Sequence, residues 1–371
     1  FRGWGKIEPS DIVLAEILWD KGYHSCLITD AYHMHKPTFA YERGFDDVVF
    51  VRGQEEDPQV VDTSIEVNIE GHYKSDGKDK RHKERTAQYL RNINHWRDTD
   101  EDQFMAQCIK KGINWLEQQE KKDNLFLWLD CFDPHEPWNP PSEYAKMYTD
   151  PNFSGTPVTM PIPGPTEGYM TDEEIRHTMG LYAGKVTMCD KWDGIFFDKL
   201  KELGMWDNTL IIFLTDHGEP FGEHGIICKA KGYPYEELVR IPFMIHHPQG
   251  IGSGKVFNQL GQTVDLAPTV LDFLGIDAKY LRMQGESLLP IMRGEKEKIR
   301  DYAYVGHWNQ SVRINDHEWA FIYYMLPRDN ELYRYAEDKE MKNNVIDKYP
   351  EKAMELELIM RRFVNGMGAK I

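Results

Sequence analysis

The stretch TDHGEPFGEHGIICK, from Thr215 to Lys229, gathers carboxylates, imidazoles and an ammonium group directly after an apolar run. A carboxylate beside an imidazole, as in Asp216 and His217, suits a divalent cation that also takes other oxygen ligands. Lys229 lies twelve residues beyond His217 and is long enough to return a positive charge to the same place. Each feature alone has a plainer explanation, since an Asp after a strand is often a helix cap and a lone lysine is usually a surface residue.

A second candidate histidine lies in the turn Asp133-Pro134-His135, where the prolines restrict the backbone. A third, His33, follows another apolar run. A lone histidine in such a place is more often structural than catalytic. Three such features at three strand ends rarely coincide by chance, so we predict one shared active site. Glu223 and His224 are predicted to be structural, in a tight glycine loop that aims Lys229.

Short apolar runs that end in these polar residues are the predicted strands: 25–29, 125–131, 209–215 and 242–246. They are apolar on both faces, which is typical of central, parallel strands covered on both sides. Apolar residues spaced by threes and fours predict a helix from Val186 to Leu203, stopped by Gly204, and a second helix follows Asp265 and ends at Gly275. The alternation predicts an α/β fold with a mostly parallel central sheet flanked by helices. In such sheets, ligands bind at the carboxyl ends of the strands.

Other segments depart from this alternation. The Pro- and Gly-rich residues 155–169 predict an irregular surface excursion. The basic run 73–92 could attract an anionic substrate, although a solvated loop or helix face is the plainer interpretation. After about Arg300, three short aromatic strand candidates, YAYVGHW, HEWAFIYY and ELYRY, precede a helix from Pro350 to Val364. We therefore predict an α/β domain over 1–298 and a smaller C-terminal α+β subdomain over 299–371.

Composition excludes some functions. The 371 residues carry a formal charge of -17, which argues against a general nucleic-acid binder. No apolar stretch approaches the ~20 residues of a membrane span, and no signal peptide is visible. Five cysteines without C-x-x-C spacing are predicted to be reduced core thiols. Because the chain opens with Phe1, location stays open between a periplasmic or secreted protein and a cytoplasmic one.

At these residues the sequence resembles the sulfatase family of the alkaline-phosphatase-like superfamily. The resemblance rests on the blocks FDPHEPW, TLIIFLTDHG, GEHGIICK and VDLAPTVLDFLGI taken together. It implies that Asp216 and His217 are metal ligands, usually to Ca²⁺ in this family, with Mg²⁺ or Mn²⁺ as alternatives. It also implies that His135 and Lys229 contact the sulfate and the leaving oxygen, and that His33 matches a family histidine.

The sequence departs from the family in three places. The family nucleophile is a formylglycine made from a C/S-x-P/A-x-R motif, which none of the five cysteines matches. The paired aspartates that complete the family's metal site are missing. We therefore expect a sulfatase without its N-terminal segment, inactive alone. The third departure is a family lysine position that falls on Ala31. The role of that lysine stays unassigned, and Lys36 is the alternative to it in this sequence.

Three functions remain open, two of which differ in the substrate that is hydrolysed. The first is a sulfate monoester, with a sulfated carbohydrate or aryl sulfate preferred, and we expect Trp138, His307 and Trp308 to line its pocket and stack on a ring. These tryptophans can equally be core residues. The second class is a phosphonate monoester or phosphodiester, hydrolysed by the same superfamily. The third hypothesis is that the chain is not an enzyme but a non-catalytic fragment or binding protein. No nucleic-acid partner is expected, and the sequence does not indicate an oligomeric state.

Overall fold

The computed structural model describes residues 5–36, 38–77, 80–281, 283–307, 310–325 and 327–366. The chain divides into two compact units, a first unit from Gly5 to Trp206 and a second unit from Asp207 onward. The predicted boundary at 298 remains a prediction. None of the described helices is long and apolar enough to cross a membrane.

The first unit is built around a three-stranded parallel sheet. Its helices and strands are α1 (Leu14–Asp20), β1 (His24–Thr29), β2 (Asp47–Phe50), α2 (Lys80–Asn92), α3 (Phe104–Gln118), β3 (Leu125–Asp130), α4 (Ser142–Ala145), β4 (Gly164–Pro165) and α5 (Asp172–Glu202). The order in the sheet is β2-β1-β3, and Cys26 of β1 is in register with Asp47 on one side and Leu127 on the other. This confirms the two predicted strands at 25–29 and 125–131. The predicted irregular excursion over 155–169 contains only the two residues of β4 as a strand.

The long helix α5 extends the predicted helix toward the N-terminus. It starts at a capping box in which the Thr171 hydroxyl accepts from the Glu174 N–H and the Glu174 carboxylate accepts from the Thr171 N–H. Gly204, at φ +68°, ends it as the sequence predicts, because this conformation is one that few other residues adopt. The apolar face of α5 includes the buried residues Met188 and Trp192.

The second unit begins with a strand pair whose direction differs from the expectation. Its elements are β5 (Ile211–Leu214), β6 (Ile226–Ile227), α6 (Glu236–Val239), β7 (Phe243–His246), α7 (Leu266–Phe273), α8 (Leu289–Met292), β8 (Ala303–His307), β9 (Ser311–Asn315), β10 (Ala320–Tyr324), β11 (Glu331–Tyr333) and α9 (Pro350–Gly366). Strands β5 and β7 occupy the predicted positions, but they pair antiparallel, with Ile211 opposite His246. An apolar run does not specify strand direction, so the sequence did not reveal this pairing. The expected cover on both faces is also absent, because β5 and β7 are half-buried and Met244 of β7 is exposed.

The C-terminal part of the second unit is the predicted α+β subdomain. Strands β8 to β11 form an antiparallel sheet in the order β11-β10-β9-β8, and α9 packs on it. Val312, Phe321, Leu356 and Met360 belong to the core between the sheet and the helix. Strands β8, β10 and β11 and helix α9 match the predicted elements, whereas no sequence pattern indicated β9.

Candidate functional site

Two of the predicted histidines meet at the carboxyl ends of neighbouring strands. His33 lies in a 3₁₀ turn, Tyr32–Met34, just after β1, and His135 follows β3. Both rings contact Phe132: the His135 ring stacks on it with centroids 3.9 Å apart, and the His33 ring meets it edge-on at 5.4 Å. Because β1 and β3 are parallel neighbours, their ends lie at one edge of the sheet, as the sequence predicts.

The backbone sets the orientation of the His135 imidazole. Its Nδ1 lies 2.6 Å from the carbonyl oxygen of Glu136, which can only accept a hydrogen bond. Nδ1 therefore carries the proton, and Nε2 is the nitrogen that can accept a proton or, in the imidazolium form, donate one. The Glu136 carboxylate lies 3.3 Å from the same Nδ1, and its side chain is 4% exposed against 12% for His135.

His33 belongs to a second, more polar arrangement. Its Nδ1 lies 3.8 Å from the Glu55 carboxylate, a distance for an ion pair and not for a hydrogen bond. Glu55 is itself paired with Arg85 of α2. Within the basic run 73–92, Arg85 is therefore directed toward His33 through Glu55. Other members of the run, such as Lys80 and Arg81, are exposed.

The turn that carries His135 is anchored by residues that the sequence analysis did not select. Asp133 and Lys185 of α5 form an ion pair at 2.7 Å, and both side chains are fully buried. Burial lowers the pKa of Lys185, but the charge of the adjacent Asp133 outweighs burial and raises this pKa above its ordinary value. The lysine is therefore a buried cation. The only sequence signal for it was an isolated charge on an otherwise apolar helix face.

Asp30 supports the same turn from the end of β1. Its side chain is fully buried, and its Oδ1 accepts a hydrogen bond from the Phe132 N–H at 2.7 Å. Burial and the nearby Asp133 charge both raise the pKa of Asp30. Its Oδ2 has no hydrogen-bond partner among the residues that the structure describes.

Trp138 is fully buried, so the structure favours the core alternative over a substrate-stacking role. Its indole N–H donates to the Pro134 carbonyl at 2.9 Å, and its ring packs edge-on against Tyr182. A substrate ring cannot reach a side chain in this position. Trp138 instead helps to hold the turn that carries His135.

In the second unit, Asp216 and His217 follow β5 directly. His217 Nδ1 lies 2.7 Å from the Gly218 carbonyl oxygen, so Nδ1 donates and Nε2 is the nitrogen available for a ligand. This Nε2 is 3.6 Å from Asp216 Oδ2, and the Asp216 side chain is 83% exposed. Glycine is required at 218, because a Cβ there would lie 2.2 Å from the Glu237 carbonyl oxygen.

A hairpin returns the chain from this pair to Lys229. Phe221 and Ile227 form an antiparallel bridge, and the Cys228 N–H donates to the Pro220 carbonyl at 3.1 Å. The segment that precedes Lys229 therefore lies next to Pro220, which is three residues after His217 in the sequence. The Cys228 bond anchors the backbone next to Lys229, whose side chain is half-buried.

His224, in the same hairpin, has the structural role that the sequence analysis predicts. Its Nδ1 bonds the Glu237 carboxylate at 2.6 Å, and its Nε2 lies 3.1 Å from the Met341 carbonyl oxygen. The ring also stacks on Tyr235 at 3.8 Å. Both nitrogens are thus engaged in internal contacts. Burial lowers the pKa of His224, but the hydrogen bond and charge of Glu237 outweigh burial and raise it.

His307 ends β8 and lies near the loop beyond Lys229. Burial and then the charge of Lys231 lower its pKa, so the neutral ring is favoured. Its predicted neighbour in the substrate pocket, Trp308, lies outside the described residues.

Asp216 and His217 can contribute part of a cation site. A separation of 3.6 Å between the two candidate donor atoms is compatible with ligand distances of about 2.0–2.6 Å to one shared ion. Across the described ranges, however, no three or more His, Cys, Asp or Glu side chains are grouped to hold a metal. The pair is therefore an incomplete donor set.

The predicted site residues fall in both units. His33 and His135 belong to the first, whereas Asp216, His217, Lys229 and His307 belong to the second. That all of them share one active site remains a prediction.

Comparison with known proteins identifies two family models along the chain. The Sulfatase model matches residues 7–276, which is more than half of the 371 residues. A second model, N-sulphoglucosamine sulphohydrolase, C-terminal, matches residues 222–364.

Individual proteins agree with these matches. An arylsulfatase of Clostridium perfringens (strain 13 / Type A) is 25% identical over 282 residues, covering 70% of this chain. The chain spans only 57% of the length of that arylsulfatase. A protein solved in complex with its substrate D-glucosamine-2-N,6-O-disulfate is 20% identical, with a TM-score of 0.71 over 97% of this chain and 83% of that one. A phosphonate monoester hydrolase of Agrobacterium radiobacter is 18% identical, with a TM-score of 0.71 over 96% of this chain and 80% of that one. At these identities the two structures establish the alkaline-phosphatase-like fold.

Proposed function

We propose that this chain, which belongs to the sulfatase family, supplies substrate-binding and proton-transfer groups for the hydrolysis of a sulfate monoester. The observation that carries the proposal is the convergence of His33 and His135 on Phe132 at the ends of two parallel strands. Family membership supports a sulfuric ester hydrolase, and the assignment of roles to individual residues is our proposal.

We assign His135 and Lys229 to the sulfate group and the leaving oxygen. A sulfate ester carries its charge on non-bridging oxygens, which cationic groups stabilise as the S–O bond to the leaving group breaks. With Nδ1 bonded to the Glu136 carbonyl, His135 presents Nε2 as the atom that, when protonated, donates to the departing alcohol. His33, paired with Glu55, provides a second donor at the same sheet edge.

We assign Asp216 and His217 to a divalent metal, with Ca²⁺ preferred over Mg²⁺ or Mn²⁺. The family is generally metal-dependent, and a cation would add Lewis-acid stabilisation of sulfate charge. The two donors are an incomplete set.

Calcium binding, measured by calorimetry on the whole chain, should be lost in Asp216→Ala. It should be retained in the control Asp347→Ala, which removes an exposed carboxylate of the same unit. Retained affinity in Asp216→Ala would refute the assignment.

The nucleophile is not assigned to a residue of this chain. The family's formylglycine is made from a C/S-x-P/A-x-R motif, and no such motif occurs in the 371 residues. Substrate binding is therefore a more direct readout for this chain than turnover.

The preferred substrate is a sulfated carbohydrate or an aryl sulfate. One solved relative of the same fold was captured with a disulfated glucosamine, which supports the carbohydrate. His307 is retained as a proposed pocket residue. The second candidate is a phosphonate monoester, favoured by the equal TM-score of 0.71 to the Agrobacterium hydrolase.

The test compares 4-nitrophenyl sulfate with 4-nitrophenyl phosphate and 4-nitrophenyl phenylphosphonate, in both binding and release of 4-nitrophenol. The key variant is His135→Ala, and His177→Ala is its matched control, because the His177 ring stacks on Phe153 at 3.8 Å much as His135 stacks on Phe132. We expect the sulfate ester to bind best and His135→Ala, but not His177→Ala, to weaken it.

Other outcomes have defined meanings. Tighter binding or faster cleavage of the phosphonate would replace the first proposal with the second. Binding without cleavage, also after the motif-bearing segment of a family member is supplied, would identify a non-catalytic binding protein. Equal loss of binding in both histidine variants would show that His135 has no specific part in binding the sulfate ester.

A further inference from the structure

One buried lysine holds the backbone of the turn that carries His135. Lys185 Nζ lies 2.7 Å from the Asp133 carboxylate, and both side chains are fully buried. The same Nζ donates to the Pro137 carbonyl at 3.0 Å and, more weakly, to the His135 carbonyl at 3.4 Å. The ammonium group thus makes one ion pair and two hydrogen bonds, all with this one turn.

The carbonyls bound by Lys185 flank the carbonyl that orients the imidazole. His135 Nδ1 bonds the Glu136 carbonyl at 2.6 Å, between the two groups that Lys185 holds. With the peptide groups on both sides fixed, the Glu136 carbonyl cannot rotate independently. The stack on Phe132 fixes the plane of the ring. The direction of Nε2 therefore depends on a side chain that no substrate can touch.

The other end of the ion pair extends this support to a second helix. The Asp133 Oδ2 accepts a hydrogen bond from the Met105 N–H, at the start of α3, at 3.2 Å. Lys185 lies in the middle of α5, so the turn is held between two helices that pack on each other. Burying an ammonium group is costly even when it is paired, and an apolar side chain of similar size would often serve core stability as well. A buried lysine at this place calls for a role that an apolar residue could not perform.

We infer that Lys185 is a positioning residue that fixes the tautomer and ring direction of His135 through the carbonyls of His135 and Pro137. The inference rests on the proposed function for its relevance to catalysis. Its physical content concerns only the His135 ring, so it can be tested without a substrate.

The test is NMR spectroscopy of the whole chain with ¹⁵N- and ¹³C-labelled histidine, in which the tautomer of each ring is read from its nitrogen shifts. His135→Gln assigns the His135 signal, and the His177 signal serves as an internal reference. The variants are Lys185→Met and the double variant Lys185→Met/Asp133→Asn. Lys185→Met leaves a buried carboxylate without its cation and is expected to lower the urea midpoint. The double variant removes both charges and should recover much of that loss.

In the unmodified chain we expect His135 to show the Nδ1–H tautomer alone. In both Lys185→Met chains the signal should move to an average of the two tautomers, while the His177 signal stays unchanged. A native His135 signal in the folded double variant would overturn the inference, because Lys185 would then contribute only to stability. If Lys185→Met does not fold, the double variant alone decides. Failure of the sulfate-binding test leaves this spectrum unaffected, so the two proposals can fail separately.

Discussion

Replacing Gly218 by alanine should disrupt the loop that presents Asp216 and His217. A Cβ at this position would lie 2.2 Å from the Glu237 carbonyl oxygen and 3.1 Å from the Glu237 carbonyl carbon. Both atoms belong to the backbone, so no flexible side chain can move aside. The strain arises from the close approach of two chain segments.

The magnitude follows from two contributions. An ordinary contact begins at 3.4 Å, so the segments must separate by more than an ångström. Such overpacking costs about 1–3 kcal/mol. The separation also breaks the hydrogen bond from the Gly218 N–H to the Leu238 carbonyl, now 2.7 Å long, which adds about 0.5–1.5 kcal/mol. We expect Gly218→Ala to lower the free energy of unfolding by about 1.5–4.5 kcal/mol in total.

Urea denaturation followed by tryptophan fluorescence measures this loss, and Gly261→Ala is the control. Gly261 lies in the same unit, and a Cβ there would only reach Leu288 at an ordinary 3.8 Å. We expect the control to stay within about 0.5 kcal/mol of the unmodified chain. Calcium affinity should fall in Gly218→Ala as well, because the Gly218 carbonyl orients His217. Equal urea midpoints for the two variants would refute the steric reasoning.

Three further changes test other contacts. His224→Gln should remove a pH-dependent stabilisation. Burial lowers the pKa of His224 but Glu237 raises it overall, so the ion pair stabilises the fold fully below the ordinary pKa of about 6.5. The stabilisation is lost as pH rises through the folded-state pKa, which urea midpoints between pH 5 and 9 measure. A flat difference across that range would contradict this. Arg300→Met leaves the fully buried Asp265 carboxylate unpaired and should cost about 3–5 kcal/mol in the same assay. A loss below 1 kcal/mol would show that the backbone N–H groups bonded to that carboxylate suffice. Thr171→Ala removes the cap of α5 and should cost about 1 kcal/mol, with Thr171→Ser as the matched variant that restores it.

The strands and their polar ends could be predicted because the signals are local. An apolar run such as 125–131 predicts a strand wherever it lies in the fold, and the following turn then falls at the sheet edge. The predicted burial on both faces was wrong for this run, because β3 is half-buried and Trp128 is exposed. Gly204 ended α5 for an equally local reason, its left-handed conformation. His33 and His135 were selected in this way, and the structure confirms that their strands are parallel neighbours.

The missed features depend on contacts between distant segments. Lys185 lies on a helix, and nothing near it in the sequence reveals that Asp133 neutralises it. Trp138 was assigned to a pocket because it adjoins His135, yet its burial results from packing against Tyr182 of α5. The antiparallel pairing of β5 and β7 has the same origin, since partner and direction are properties of the assembled sheet.

His135 and His217 lie in different units, and each is oriented by the same local arrangement. In each case Nδ1 bonds a backbone carbonyl one residue further along the chain, that of Glu136 at 2.6 Å and that of Gly218 at 2.7 Å. The bond selects one tautomer and leaves Nε2 as the working nitrogen, for a proton in one case and for a cation in the other. The two turns differ in how the carbonyl is held. Lys185 binds the flanking carbonyls of the first turn, whereas the second depends on the close approach that only glycine permits at 218. Lys185→Met and Gly218→Ala therefore perturb equivalent hydrogen bonds by independent routes, and each should change the tautomer of its own histidine while leaving the other unchanged.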